Sequence, residues 1–151
     1  MHISSLHGKE GIGTLGEEAF AFVDFLSDSR QSLWQILPLG PTGFGNSPYS
    51  SFSAFAGNPL FINLEHLYAD LNIQLPENVF ANSDSDNDID FEKVKNAKNE
   101  LLRKAAEYYH FESPVDKTDY VNFLDENNYW IQAYSEFQAL KEYFHDVSFF
   151  L

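Results

Sequence analysis

The stretch GPTGFGNSPYSSFSAFAGNP, from Gly40 to Pro59, constrains the fold of this chain more than any other segment. Its glycines and prolines interrupt both a helix and a strand ladder, so the segment must be an irregular loop. It nevertheless carries four aromatic rings, Phe44, Tyr49, Phe52 and Phe55. A loop that only crosses solvent has no use for them. Some must pack, and some are free to hold a flat ligand.

What precedes the loop indicates where it sits. LWQILPL, Leu33 to Leu39, is short and apolar and is closed by Pro38, Gly40 and Pro41, which predicts a buried strand ending where the glycines begin. Upstream, Thr14 and Glu17 have the spacing of a capping box, which predicts a helix start. Leu15, Ala19, Phe22, Val23 and Leu26 then recur at helical spacing to about Ser27, and Phe20 and Phe25 widen the stripe as packing on a sheet requires. Gly11 and Gly13 shape the turn into that helix. A helix followed by a buried strand is part of a βαβ unit, with little room for a preceding strand before Gly8. The fold class is therefore α/β at its start.

After Pro59 the pattern becomes helical. LFINLEHLYADL is a mixed apolar run that fits either helix or strand, and ANSDSDNDID is a polar, acidic link. Phe91, Val94, Leu101, Leu102, Ala105 and Tyr108 predict an amphipathic helix with Asp90 as its N-cap. A shorter helix is expected from about Lys117 to Leu124. Trp130, Ala133, Tyr134, Phe137, Leu140 and Phe144 then mark a helix with a large aromatic face.

Composition excludes several functions. Over 151 residues the formal net charge is −14, which repels nucleic acid and anionic membrane alike, and no basic stripe offsets it. No cysteine is present, so neither disulfides nor thiolate chemistry are available. MHISSLHGKEG lacks the basic start and apolar run of a signal peptide, and no segment approaches the about eighteen apolar residues of a membrane span. A cytoplasmic protein is expected. Asp84, Asp86 and Asp88 alternate as in a calcium loop, but Ile89 stands where the turn needs glycine and Lys95 where a bidentate glutamate belongs. A solvated linker is the reading. His2, His7, His66, His110 and His145 show no zinc-clamping pair, and GKEGIGTLG lacks the register of a phosphate-binding glycine loop. No metal and no cofactor are expected.

The loop remains the candidate site. In parallel α/β sheets the residues after the carboxyl end of a strand face the ligand crevice, which places the segment after Leu39 where such folds bind. Its contents suit a sugar: Phe44 and Tyr49 offer flat faces to a pyranose ring, and Asn46 and Ser47 offer hydrogen bonds to hydroxyls. Phe52 and Phe55 are read as packing residues that plug the barrel edge or the next helix.

GIGTLGEEAFAFVDFL, QSLWQILPLGPTGFGNSPYSSFSAFAGNP and NNYWIQAYSEFQALKEYF together resemble the N-terminal part of the 4-α-glucanotransferases, also called amylomaltases or disproportionating enzymes, of glycoside hydrolase family 77. The similarity runs from about Ile3 to Phe144. It implies the N-terminal fragment of a (β/α)₈ TIM barrel in residues 1–58, with a clipped first strand, one helix, a second strand and the donor-site loop. Residues 59–151 would be a mainly helical insertion subdomain. With few strands to pair with, Leu33 to Leu39 and the rest of the first 58 residues are expected to be poorly anchored.

The resemblance also implies an activity: transfer of an α-1,4-glucan segment between malto-oligosaccharides, or to glucose, by a retaining mechanism that needs no cofactor. The substrate is a malto-oligosaccharide or a glucan derived from starch or glycogen. Tyr49 and Ser47 match positions that contact the sugar beside the scissile bond. Phe44 falls where many members carry a tyrosine linked to a second glucan-binding site, Asn46 where aspartate is common, and Ser50 where glutamine is common. His7 replaces a proline. The family's nucleophile, acid/base and third carboxylate lie on later strands with no counterpart in this sequence. The chain alone is therefore expected to be inactive, with no catalytic residue of its own. The alternative is a non-catalytic maltodextrin-binding or split-barrel assembly module that pairs with the remainder of the barrel.

Overall fold

The structure is a computed structural model that describes residues 1–77, 79–80 and 89–144, together with the backbone but not the side chain of Phe44. The acidic run Asp84, Asp86 and Asp88, and the tail beyond Phe144, lie outside the described residues. Five helices carry the architecture: α1 (Glu17–Asp28), α2 (Leu64–Asp70), α3 (Phe91–Phe111), α4 (Thr118–Glu126) and α5 (Asn128–Tyr143). Short 3₁₀ turns occupy Ile3–Ser5, Phe44–Asn46 and Pro59–Phe61. None of the five helices is long and apolar enough to cross a membrane.

The chain divides into two compact units. Residues 1–52 and 57–115 form the first, and residues 53–56 with the segment from Asp116 onward form the second. Contacts in the first unit run across the division expected at residue 58, because both sides of it contribute to one apolar cluster. Ile3 and Ile12 are buried there with Leu60, Phe61 and Val94, and Trp34 and Leu39 pack against them. A second cluster joins Leu64, Tyr68 and Leu71 to Leu101 and Ala105 of α3. The Tyr68 hydroxyl donates to the Leu101 carbonyl at 3.0 Å, and burial raises the pKa of its phenol.

Residues 3–16 are thus anchored, contrary to expectation, whereas much of the apolar surface of residues 20–37 is exposed. Polar groups complete the attachment: the Leu15 N–H donates to the Phe61 carbonyl at 2.8 Å, and the Asn63 amide donates to the Thr14 hydroxyl at 3.0 Å. The second of these bonds also corrects the helix start. Thr14 is buried and engaged with Asn63, so it does not cap, and α1 begins after Gly16 with no side-chain cap. Along α1 only Ala19 is buried; Phe20 and Phe25 are about 60% exposed. The apolar stripe exists, but most of it is uncovered.

The strand expected over Leu33 to Leu39 is absent. Among the described residues the one β pairing is an isolated antiparallel bridge between Thr42 and Ser51. Leu33 is 89% exposed, and Ile36 and Leu37 are also exposed. An apolar segment becomes a strand only when neighbours take its N–H and C=O groups, and no strand flanks it among the described residues. The described chain is therefore helical.

Downstream the periodicity matches what forms. Asp90 caps α3 by accepting from the Lys93 N–H at 3.0 Å. The ambiguous run after Pro59 resolves into a turn and α2, because Asn58 accepts from the Leu60 N–H and Asn63 from the His66 N–H. In the second unit α4 and α5 follow one another. Asn127 between them receives the Trp130 indole N–H at 2.9 Å and donates to the Phe123 carbonyl at 2.8 Å.

Candidate functional site

The loop after Leu39 is built by its own backbone. The Gly43 N–H donates to the Ser50 carbonyl at 2.8 Å, next to the Thr42–Ser51 bridge, and this closes residues 43–50 into a small lobe. Inside it the Asn46 N–H donates to the Gly43 carbonyl at 3.2 Å and the Ser50 N–H to the Ser47 carbonyl at 3.1 Å. The tight path needs left-handed backbone at Gly45 (φ 72°) and Asn46 (φ 54°), a conformation that glycine adopts freely and asparagine tolerates. A Cβ at Gly43 would lie 2.6 Å from the Ser50 carbonyl oxygen, so a side chain there would force the lobe open.

The predicted site residues share this lobe. Tyr49 is 74% exposed, and its N–H donates to the Ser47 hydroxyl at 3.3 Å. Ser47 is half-buried and Asn46 is exposed. The backbone of Phe44 forms the 3₁₀ turn with Gly45 and Asn46, and its side chain lies outside the described residues. Phe52 packs beside Gly43, as its ring atoms lie about where a Gly43 side chain would go. Gly43 and Ser50 are the positions that sequence reasoning undervalued. Their signal was the Gly-x-Gly around Phe44, which predicts a turn but not its partner.

Phe55 belongs to the second unit and packs there. Its ring stacks on Trp130 of α5 (5.8 Å between centroids, 24° between planes) and meets Tyr129 edge-on at 5.4 Å. The Ser53 hydroxyl fixes the backbone by accepting from the N–H groups of Phe55 and Ala56 at 3.1 and 3.0 Å. These contacts account for the ring without a ligand.

The chemistry open to the lobe is limited and clear. From Gly40 to Pro59 there is no aspartate, glutamate, histidine, lysine or arginine. Such a surface can stack against a ring and exchange hydrogen bonds with hydroxyls, but no group in it can transfer a proton near neutral pH. Its groups are those of a candidate binding surface.

A buried ion pair lies against the segment that follows the loop. Lys98 of α3 is fully buried; its ammonium donates to a Glu10 carboxylate oxygen and, at 2.7 Å, to the Ile62 carbonyl. The other Glu10 oxygen accepts from the Leu64 N–H at 2.8 Å. Burial lowers the Lys98 pKa, and the Glu10 charge offsets part of that shift. Sequence reading gave Lys98 no role, because a lone lysine on an amphipathic helix ordinarily faces water.

Comparison with known proteins gives one answer throughout. The sequence model of a family described as 4-alpha-glucanotransferase matches residues 1–150. A 4-alpha-glucanotransferase of Streptococcus pneumoniae is 44% identical over 150 residues, covering 98% of this chain and 29% of the relative. One from Clostridium butyricum is 45% identical, covering 98% of this chain and 30% of that protein. Among solved structures, the amylomaltase from Streptococcus agalactiae in complex with acarbose superposes with a TM-score of 0.83 at 38% identity, covering 98% of this chain and 30% of that one. The chain therefore spans about three tenths of the length of the proteins it matches.

Proposed function

This chain belongs to the 4-alpha-glucanotransferase family, glycoside hydrolase family 77, and on that premise we propose that it supplies the donor-side sugar-binding loop of a retaining glucan transfer. The substrate is a malto-oligosaccharide or a glucan derived from starch or glycogen. The enzyme type would break an α-1,4 bond and pass the glucan to the 4-hydroxyl of another sugar. A retaining mechanism needs a carboxylate nucleophile and a carboxylic acid/base on opposite sides of that bond. Neither is assigned to a residue of this chain. Tyr49 stacks on the sugar beside the scissile bond, Ser47 and Asn46 bond its hydroxyls, and Phe44 adds a second apolar face. Acarbose in the similar Streptococcus agalactiae structure supports the ligand class.

The observation that carries this reading is the lobe itself: an uncharged, backbone-clamped turn that leaves the Tyr49 ring 74% exposed. The test is maltotriose disproportionation by the purified chain, together with maltoheptaose binding followed by amide chemical shifts. Binding that moves the Tyr49 and Ser47 signals, without glucose release, is the expected result. Turnover that survives repurification would show that residues of this chain supply the acid/base chemistry, and absence of binding would remove the glucan reading.

The uncovered apolar surface favours a second reading alongside the first. Leu33, Phe20 and Phe25 are exposed on the same unit, on the helix and segment that a barrel sheet would cover. In this reading the chain also serves as an assembly module, and further barrel strands take the backbone of residues 33–39. A gain in hydrogen-exchange protection across those residues on adding the remaining barrel segments would support it.

A further inference from the structure

We infer that the buried pair Glu10–Lys98 is the anchor for the root of the 40–58 loop, a positioning role that rests on reading that loop as a glucan site. The contacts form an unbroken path. Lys98 holds the Ile62 carbonyl and Glu10 holds the Leu64 N–H, so the backbone on either side of Asn63 is fixed from one buried point. Pro59–Phe61 turns just before it, and Asn58 caps that turn. The Asn58 N–H donates to the Leu39 carbonyl at 2.8 Å, and Leu39 is where the loop departs.

Packing reinforces the path. Val94 lies one helical turn before Lys98 on the same face of α3, and it belongs to the cluster against which Leu39 packs. One helix thus seats the loop root by an apolar contact and by a directed polar one. Stability alone gives little reason for the pair, since apolar side chains of similar volume fill such sites about as well. What the ions add is direction: an ammonium with three donors and a carboxylate with two oxygens specify which backbone atoms they hold.

The test follows residue-level hydrogen exchange in the chain as it stands, comparing Asn58 at the loop root with Ala105 of the second cluster. The variants are Glu10→Gln, the apolar double variant Glu10→Met/Lys98→Met, and Lys9→Met, which removes only an exposed ion pair with Glu65. In Glu10→Gln and in the double variant, exchange at Asn58 should quicken about tenfold more than at Ala105, and maltoheptaose affinity should fall several-fold. Lys9→Met should change neither. The double variant keeps the measurement decisive if the single change unfolds the chain. Equal acceleration at Asn58 and Ala105, or an unchanged Asn58, overturns the anchor and leaves the pair as a general core contact. If the unaltered chain binds no maltoheptaose, the glucan reading fails, and the exchange ratio still decides the anchor.

Discussion

Lys98 and Glu10 are 88 residues apart in the chain, yet their side chains form an ion pair that is almost wholly excluded from solvent. Breaking such a pair from one side leaves a buried charge without its partner, which costs about 3–5 kcal/mol. Lys98→Met should therefore lower the urea midpoint sharply or prevent folding. Glu10→Met/Lys98→Met should recover most of the loss, because two apolar side chains of similar length fill the space. Urea titration of the three proteins checks this, and equal stability of Lys98→Met and the original chain would contradict it.

The same lysine sets an alkaline pH dependence. Burial lowers its pKa below the usual 10.5, so the folded chain releases this proton before the unfolded chain does. Between the folded pKa and 10.5 the unfolded state binds more protons, and stability therefore rises with pH across that window. The penalty of burying the charge stands in full below it. Tyr68 acts in the opposite sense above its ordinary value of 10.0, where its raised phenol pKa lets the unfolded chain ionise first. Stability measured on approach to pH 10.0 from below should rise, and a chain with both Lys98→Met and Glu10→Met should lack that rise. A flat profile in the unaltered chain would count against the assignment.

Which parts of this were legible in the sequence depended on where the partners lay. The Asp90 cap and the apolar positions of α3 are local features, so periodicity located them. The Gly40–Pro59 segment was legible as a loop for the same reason. Thr14 had the spacing of a cap, but its hydroxyl is engaged by Asn63, whose approach no local pattern reveals. Nothing in the sequence singled out Lys98, because its partner Glu10 lies in an irregular segment far away. Leu33 to Leu39 has strand composition, but ladder formation depends on neighbours that are not among the described residues. In each of these cases a contact distant in sequence decides the outcome.

Glycine positions separate close packing from open space. A Cβ at Gly13 would lie 1.9 Å from the Ile3 carbonyl oxygen and 2.8 Å from that of Leu6, both backbone atoms. Gly13→Ala should push the N-terminal turn off the first cluster and cost about 1–3 kcal/mol or more. At Gly57 a Cβ would meet nothing within 4 Å. Gly57→Ala should be neutral or stabilising by up to about 1 kcal/mol, through a less flexible unfolded chain. Thermal unfolding of both variants checks the contrast.

Tyr49 separates stacking from hydrogen bonding at the proposed sugar site. Its ring is 74% exposed, so its removal should leave stability within about 0.5 kcal/mol of the original. Tyr49→Phe keeps the flat face and loses only the hydroxyl, a hydrogen bond with a net contribution of about 1 kcal/mol, and maltoheptaose affinity should fall about fivefold. Tyr49→Ala also loses the ring contact, so a loss of tenfold or more is expected, on the order of 1.5–2.5 kcal/mol. Ser47→Ala removes both a sugar contact and the acceptor of the Tyr49 N–H, so its effect on affinity should exceed that of Asn46→Ala at the exposed tip. Isothermal titration with maltoheptaose ranks the four variants. If Tyr49→Ala bound as tightly as the original chain, the ring would be a passive feature of the lobe and the contact would have to lie elsewhere.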